Sequence, residues 1–173
     1  AKGCDHVDPS TAGFAEAVKI AKESDVAIVV VGDKSDLTSG ENNDRAHLSL
    51  PGVQEQLVKA VGETGTPTVL VLANGRPVIF NWAADSLPAI LVTWYAGEEG
   101  GTAAAEVLFG DYNPAGRLPI TFPRFEGQLP LYYNYKPSGR GYDYRDEQFS
   151  PRFPFGYGLS YTAFGYSNLR VSP

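Results

Sequence analysis

The sequence predicts an α/β fold: a mainly parallel sheet flanked by helices. Three apolar runs carry this reading, at 25–31 (DVAIVVV), 68–73 (TVLVLA) and 89–95 (AILVTWY). Each is nearly continuous rather than alternating, as parallel strands covered on both faces are. Their Val and Ile content favours strand over helix. Helical patterns lie between and around them, which implies βαβ units rather than hairpins.

Residues 11–23 place Phe14, Ala17, Val18 and Ala21 on one helical face, with Ser10 in position to cap the start. The strand at 25–31 follows. Residues 52–61 gather Val53, Leu57, Ala60 and Val61 on a second helical face. Pro51 suits the first turn of that helix, and Gly62 or Gly65 suits its stop. The strands at 68–73 and 89–95 come next, then a helix over 101–109 that gathers Ala104, Ala105, Leu108 and Phe109 and ends at Gly110. The expected order is helix, strand, helix, strand, strand, helix. Residues 111–117 are turn-rich, and Leu118 to Phe122 is a short strand candidate closed by Pro123. From 124 onward the chain is rich in aromatics, Gly and Pro and has no helical period. The organisation expected is a domain over 1–123 and an extended aromatic arm over 124–173.

At 173 residues the chain is long enough for one domain with its own core. A net charge of -6 disfavours a phosphate-backbone partner, so no nucleic acid is expected. The single cysteine, Cys4, has no partner for an internal disulfide and no CxxC neighbour. His6 and His47 are the only histidines and stand far apart, which disfavours a metal site. No cofactor is expected: there is no GxGxxG or Walker pattern, and no GxSxG elbow. No apolar run reaches the length of a membrane span. The chain opens on Ala1 rather than Met and is expected to be a piece of something longer.

Ligands of parallel sheets bind at the carboxyl ends of the strands. Two loops lie there, 32–49 and 96–101. The first is long, and long loops without secondary structure are often functional. It contains Gly40-Glu41-Asn42-Asn43-Asp44-Arg45. Glu41 in such a loop suits a general acid/base, which needs a carboxyl within reach of a leaving group. On spacing alone a solvated surface glutamate is the commoner case for a loop carboxylate, and it ranks first. Asp44 and Arg45 orient the loop through an ion pair, or Asp44 caps the next helix. Gly97-Glu98-Glu99-Gly100-Gly101 sits where a phosphate-binding turn would, but its two carboxylates favour a tight, closely packed strand-to-helix turn instead. The aromatic arm suits either sugar stacking or packing on its own domain.

Several motifs occur in one order along the chain. They are Glu41-x-x-Asp44-Arg45 with Leu48-Ser49-Leu50-Pro51-Gly52-Val53-Gln54, then Ala73-Asn74-Gly75-Arg76-Pro77, then Trp94-Tyr95-Ala96-Gly97-Glu98-Glu99-Gly100-Gly101. Next come Leu108-Phe109-Gly110-Asp111-Tyr112-Asn113-Pro114-Ala115-Gly116-Arg117-Leu118-Pro119, and finally Phe155-Gly156-Tyr157-Gly158-Leu159-Ser160-Tyr161-Thr162. In this the chain resembles, over nearly its whole length, the second domain of glycoside hydrolase family 3 enzymes, the β-glucosidase and β-xylosidase group.

The resemblance implies a three-layer α/β sandwich, truncated at its N-terminal side and followed by a lead-in to a further β-sandwich domain. It implies a preceding barrel domain that carries a nucleophilic Asp, and a shared cleft to which Glu41 brings the general acid/base. Asp44 and Arg45 would support that loop, and Glu98 and Glu99 would be structural. The implied substrate is a terminal β-linked sugar of a glycoside or oligosaccharide, and the implied mechanism is retaining. With one carboxylate of the pair, the isolated chain is expected to be inactive, and the face that meets the barrel invites self-association. The resemblance favours a periplasmic or secreted enzyme. The alternative function is a non-catalytic carbohydrate-binding or interaction module that uses the aromatic arm.

Overall fold

The computed structural model describes residues 1–40, 44–136 and 141–172. Its elements are α1 (Phe14–Lys22), β1 (Ala27–Gly32), α2 (Gln54–Gly62), β2 (Thr68–Ala73), α3 (Asn81–Ser86), β3 (Ala89–Val92) and α4 (Gly100–Phe109), then a 3-10 turn at Glu126–Gln128. The strands form one parallel sheet in the order β1-β2-β3. Ala27 lies opposite Thr68, and Val69 lies opposite Ala89. This is the expected α/β class with a parallel sheet.

β2 is central and covers the predicted 68–73. Leu70 and Leu72 have no exposed surface. Burying such a side chain is worth about 1.5–3 kcal/mol over leaving it in water. α2 packs on β1 and β2 and also meets α1 and α3. Leu57, Val58 and Val61 of α2 join Val29, Val31, Leu70 and Leu72 in the core, and α1 adds Ala21. Of the predicted faces, Phe14, Ala17 and Ala21 of α1 and Leu57 and Val61 of α2 pack on the core, while Val58, outside the predicted α2 face, is buried and Ala60 is only half-buried.

β1 departs from the expectation of two covered faces. Its burial alternates: Val29 and Val31 are buried, whereas Ile28 is 46% and Val30 65% exposed. It is an edge strand, and among the described residues nothing covers its second face. α4 buries no residue, and Phe109 on its predicted apolar face is exposed.

Other departures are local. α3 lies between β2 and β3, where two consecutive strands were expected. Its six residues are too short to show a period. Ser10 does not cap α1: the N-cap is Gly13, and the Ser10 Oγ accepts from the Ala12 N–H at 3.3 Å. Pro51 precedes α2 by a turn, and its carbonyl accepts from the Gln54 N–H. α4 ends as expected on Gly110, at φ 86°, where glycine is the residue that fits.

Leu118 to Phe122 does not form a strand of the sheet. It pairs antiparallel with the C-terminal arm at Phe122 and Phe153, and the Phe122 N–H donates to the Phe153 carbonyl at 2.9 Å. Phe122 is buried, and Phe80 meets its ring edge-on at 5.8 Å. Phe153 stacks on Phe80 at 5.9 Å and meets Tyr157 at 4.8 Å. These rings of the arm pack on the chain's own core.

Candidate active site at the carboxyl edge of the sheet

All three strands end on the same edge, and the residues that follow them meet there. β1 hands over to Asp33, β2 to Asn74, Gly75 and Arg76, and β3 to Thr93, Trp94 and Tyr95. Gly32 allows the first handover. A Cβ on it would stand 1.8 Å from the Ala73 carbonyl oxygen, so only glycine lets β1 leave the sheet beside β2. Gln54, at the start of α2, fixes the same point. Its Oε1 accepts from the Gly32 N–H at 2.7 Å, and its Nε2 donates to the Gly32 carbonyl at 2.9 Å. Two main-chain groups that no strand partner reaches are thereby satisfied. Thr93 closes β3: its N–H donates to the Leu72 carbonyl at 2.9 Å, and Trp94 then turns the chain at φ 55°.

The Asp33 side chain is fully buried. Its Oδ1 receives Arg76 Nη2 at 3.0 Å and Arg45 Nη1 at 3.5 Å. Neither arginine is local to it: Arg76 follows β2 and Arg45 lies in the 32–49 loop. Arg45 also donates Nη1 to the Thr38 carbonyl at 3.0 Å and Nη2 to the Ser49 carbonyl at 3.1 Å. Burial, then the neighbouring Arg76 charge, pushes the Arg45 guanidinium below its ordinary value, and Asp33 opposes this. Asp33 Oδ2, Asn74 Oδ1 and the Nε and Nη1 of Arg76 are buried without a hydrogen-bond partner among the described residues. Asn74 Nδ2 donates to the Arg76 carbonyl, which shapes the turn after β2. The Tyr95 ring lies over Gly75, where an added Cβ would meet it at 2.6 Å. Burial, then the Asp33 charge, raises the Tyr95 phenol.

The long loop is ordered at both described ends. Residues 34–39 make a tight turn in which the Thr38 N–H donates to the Lys34 carbonyl at 2.8 Å and Thr38 Oγ1 accepts from the Lys34 N–H at 2.7 Å. At the far end the Ile79 N–H donates to the Leu48 carbonyl at 2.8 Å, and Glu126 Oε1 accepts from the Leu48 N–H at 2.9 Å. Accepting that bond, above all, lowers the Glu126 carboxyl. A cavity of about 410 Å³ adjoins the loop, lined in part by Asp36, Thr38, Gly40, Asp44 and Arg45.

Glu41, the candidate acid/base, lies outside the described residues. Asp44 is exposed, and α2 begins ten residues after it, so it does not cap that helix. The ion pair of Arg45 is made with Asp33. Glu98 and Glu99 are exposed in the turn that opens α4, where the Gly100 N–H donates to the Gly97 carbonyl at 3.1 Å. That turn is tight: a Cβ on Gly100 would stand 2.9 Å from Ala96 Cβ, whereas one on Gly97 or Gly101 would meet nothing within 4 Å. Among the described residues no group of three His, Cys, Asp or Glu side chains is placed to hold a metal, and no helix is long and apolar enough to cross a membrane.

Sequence reasoning missed Asp33 and Arg76. Asp33 closes a strand and resembles any turn aspartate. Arg76 was visible only as part of the Asn74-Gly75-Arg76-Pro77 motif.

A beta-xylosidase of Formosa agariphila is 51% identical to this chain over 99% of it. A periplasmic beta-glucosidase of Salmonella typhimurium is 46% identical over 96%. The chain spans 24% and 23% of those proteins, about a quarter of each. Among solved structures, a beta-glucosidase of Listeria innocua superposes with a TM-score of 0.81 at 34% identity, over 91% of this chain and 23% of that one. A glucosidase of Erythrobacter marinus does so at 0.82 and 44%, over 89% and 21%. The family model for the glycosyl hydrolase family 3 C-terminal domain matches residues 3–161. A match of that extent, on a parallel sheet with its polar loops at one edge, makes this chain a member of the glycosyl hydrolase family 3 C-terminal domain family.

Proposed function

We propose that this chain is the acid/base-bearing part of a retaining exo-β-glycosidase acting on terminal β-linked glucose or xylose. The observation that carries the reading is its similarity, over almost all its length, to proteins named beta-xylosidase and beta-glucosidase. The carboxyl edge of the sheet supports it, because the loop that contains Glu41 leaves from there.

In this reading Glu41 gives its proton to the glycosidic oxygen as the bond from C1 to that oxygen breaks. An Asp of a barrel domain elsewhere in the protein attacks C1 and forms the glycosyl ester. Glu41, now a carboxylate, takes a proton from water as that water attacks C1 and displaces the Asp. Retention places the two carboxyls about 5–5.5 Å apart. The negative nucleophile raises the Glu41 carboxyl while it is free and releases it once esterified, so one group serves as acid and then as base. Asp44 and Arg45 belong to the supporting loop. The intact enzyme is periplasmic or secreted, a proposal supported by the periplasmic relative. This chain alone lacks the second carboxylate and is inactive. It associates with itself through the uncovered β1 face.

The test is kinetic, in the full-length protein. Glu41→Ala is expected to lower kcat/KM about 100-fold or more for glycosides with poor leaving groups, the scale of general acid/base assistance. Activated aryl glycosides, which leave without a proton, lose little in the glycosylation step. Equal loss on both, or none, would remove Glu41 from the role.

A further inference from the structure

Arg45 bridges two points on the loop that lie eleven residues apart, and the buried Asp33 holds it there. Its guanidinium donates to the Thr38 and Ser49 carbonyls, at 3.0 and 3.1 Å, while facing Asp33 Oδ1. The stem of the same side chain lies against Gly40. Gly40 has φ 91°, and a Cβ on it would stand 3.2 Å from Arg45 Cγ. The residue just before Glu41 is thus seated on Arg45. Asp33 is itself tied to the sheet: it follows β1 directly, its N–H donates to the Ala73 carbonyl at 3.0 Å, and Arg76 binds its Oδ1 from the end of β2.

We infer that Asp33, acting through Arg45, is the positioning element that sets the loop carrying Glu41, with Arg76 as its second anchor. The inference rests on the acid/base reading of Glu41. Its physical content is a chain of constraints from rigid sheet to loop: strand end, carboxylate, guanidinium, two loop carbonyls. The arrangement holds two guanidinium groups against one carboxylate. Removing that carboxylate leaves two half-buried cations facing each other, and Arg45 is the one free to move, because it sits on the loop. A displacement of about 1 Å at a reacting group is enough to cost on the order of 100-fold in rate. Asp33 touches no substrate in this role. It acts only through where Arg45 holds the loop.

The experiment uses the full-length enzyme and a series of aryl glycosides graded by leaving-group pKa, with Glu41→Ala, Asp33→Asn, Arg45→Gln and Arg45→Lys measured side by side. Asp33→Asn and Arg45→Gln are expected to lose about 100-fold in kcat/KM on the poorest leaving groups and less than about 10-fold on the most activated, the pattern of a misplaced acid. Arg45→Lys keeps the charge but cannot reach both carbonyls at once, and it falls between wild type and Arg45→Gln. A uniform loss across the series in Asp33→Asn and Arg45→Gln, or no loss, overturns the positioning role while a leaving-group-dependent Glu41→Ala leaves the acid/base reading standing. A flat response in Glu41→Ala overturns both. Arg45, partly exposed on the loop, keeps the test decisive if Asp33→Asn fails to fold.

Discussion

Gly32 is the residue on which the site's geometry turns. It ends β1 and lies against Ala73 so closely that an added Cβ would stand 1.8 Å from the carbonyl oxygen of that residue. Replacing it with alanine forces β1 and β2 apart where Asp33 and Asn74 begin. Gly32→Ala is expected to destabilise the fold by about 3 kcal/mol or more, the upper range for forcing extra volume into a packed site, measured as a drop in the urea midpoint. An unchanged midpoint would mean that the strands separate there without cost. At this scale the sequence was only partly legible. Glu41, Asp44 and Arg45 could be singled out because they share one loop. The Asp33–Arg45–Arg76 cluster could not, because parallel pairing of β1 with β2 is what brings residues 33 and 76 together.

Elements differ in how openly the sequence declares them. β2 was read to its boundaries because its apolar run is central, buried and bounded by Pro67 and Asn74. β1 looked the same in sequence yet is an edge strand, since periodicity reports local hydrophobicity and not which neighbour is present. α3 is too short to have a period, and Leu118 to Phe122 pairs with the arm rather than the sheet. The 3-10 turn carries a pH-sensitive contact. Glu126 Oε1 accepts the Leu48 N–H, which lowers its carboxyl below the ordinary glutamate value. A carboxyl lowered by folding stabilises the native state above its unfolded pKa. That contribution disappears as the pH falls through the folded pKa. Wild type is therefore expected to exceed Glu126→Gln in melting temperature at neutral pH, with the gap closing below about pH 4, near the ordinary glutamate pKa. A gap independent of pH would show that the contact does not depend on the charge.

At the scale of the whole molecule, the sheet has one well-covered side. Leu57, Val58 and Val61 of α2 close the core there, while Ile28 and Val30 stand open on the other side of β1 with Val26 beside them. Exposed apolar surface of this kind on an edge strand invites association. The isolated chain is expected to sediment with a weight-average mass that rises with concentration, and Val30→Lys is expected to lower it. A single monomer boundary at all concentrations would rule the β1 face out as a contact. The aromatic arm has a different consequence. Phe122 and Phe153 pair with each other and Phe153 stacks on Phe80, while between them Glu126 accepts the Leu48 N–H and Gln128 is buried. The two ends of the stretch between are moored to the same core. A single backbone cut within it is therefore expected to leave two pieces held by the contacts at its ends, whereas a cut at Gly32 would part β1 from the residues that shape the site.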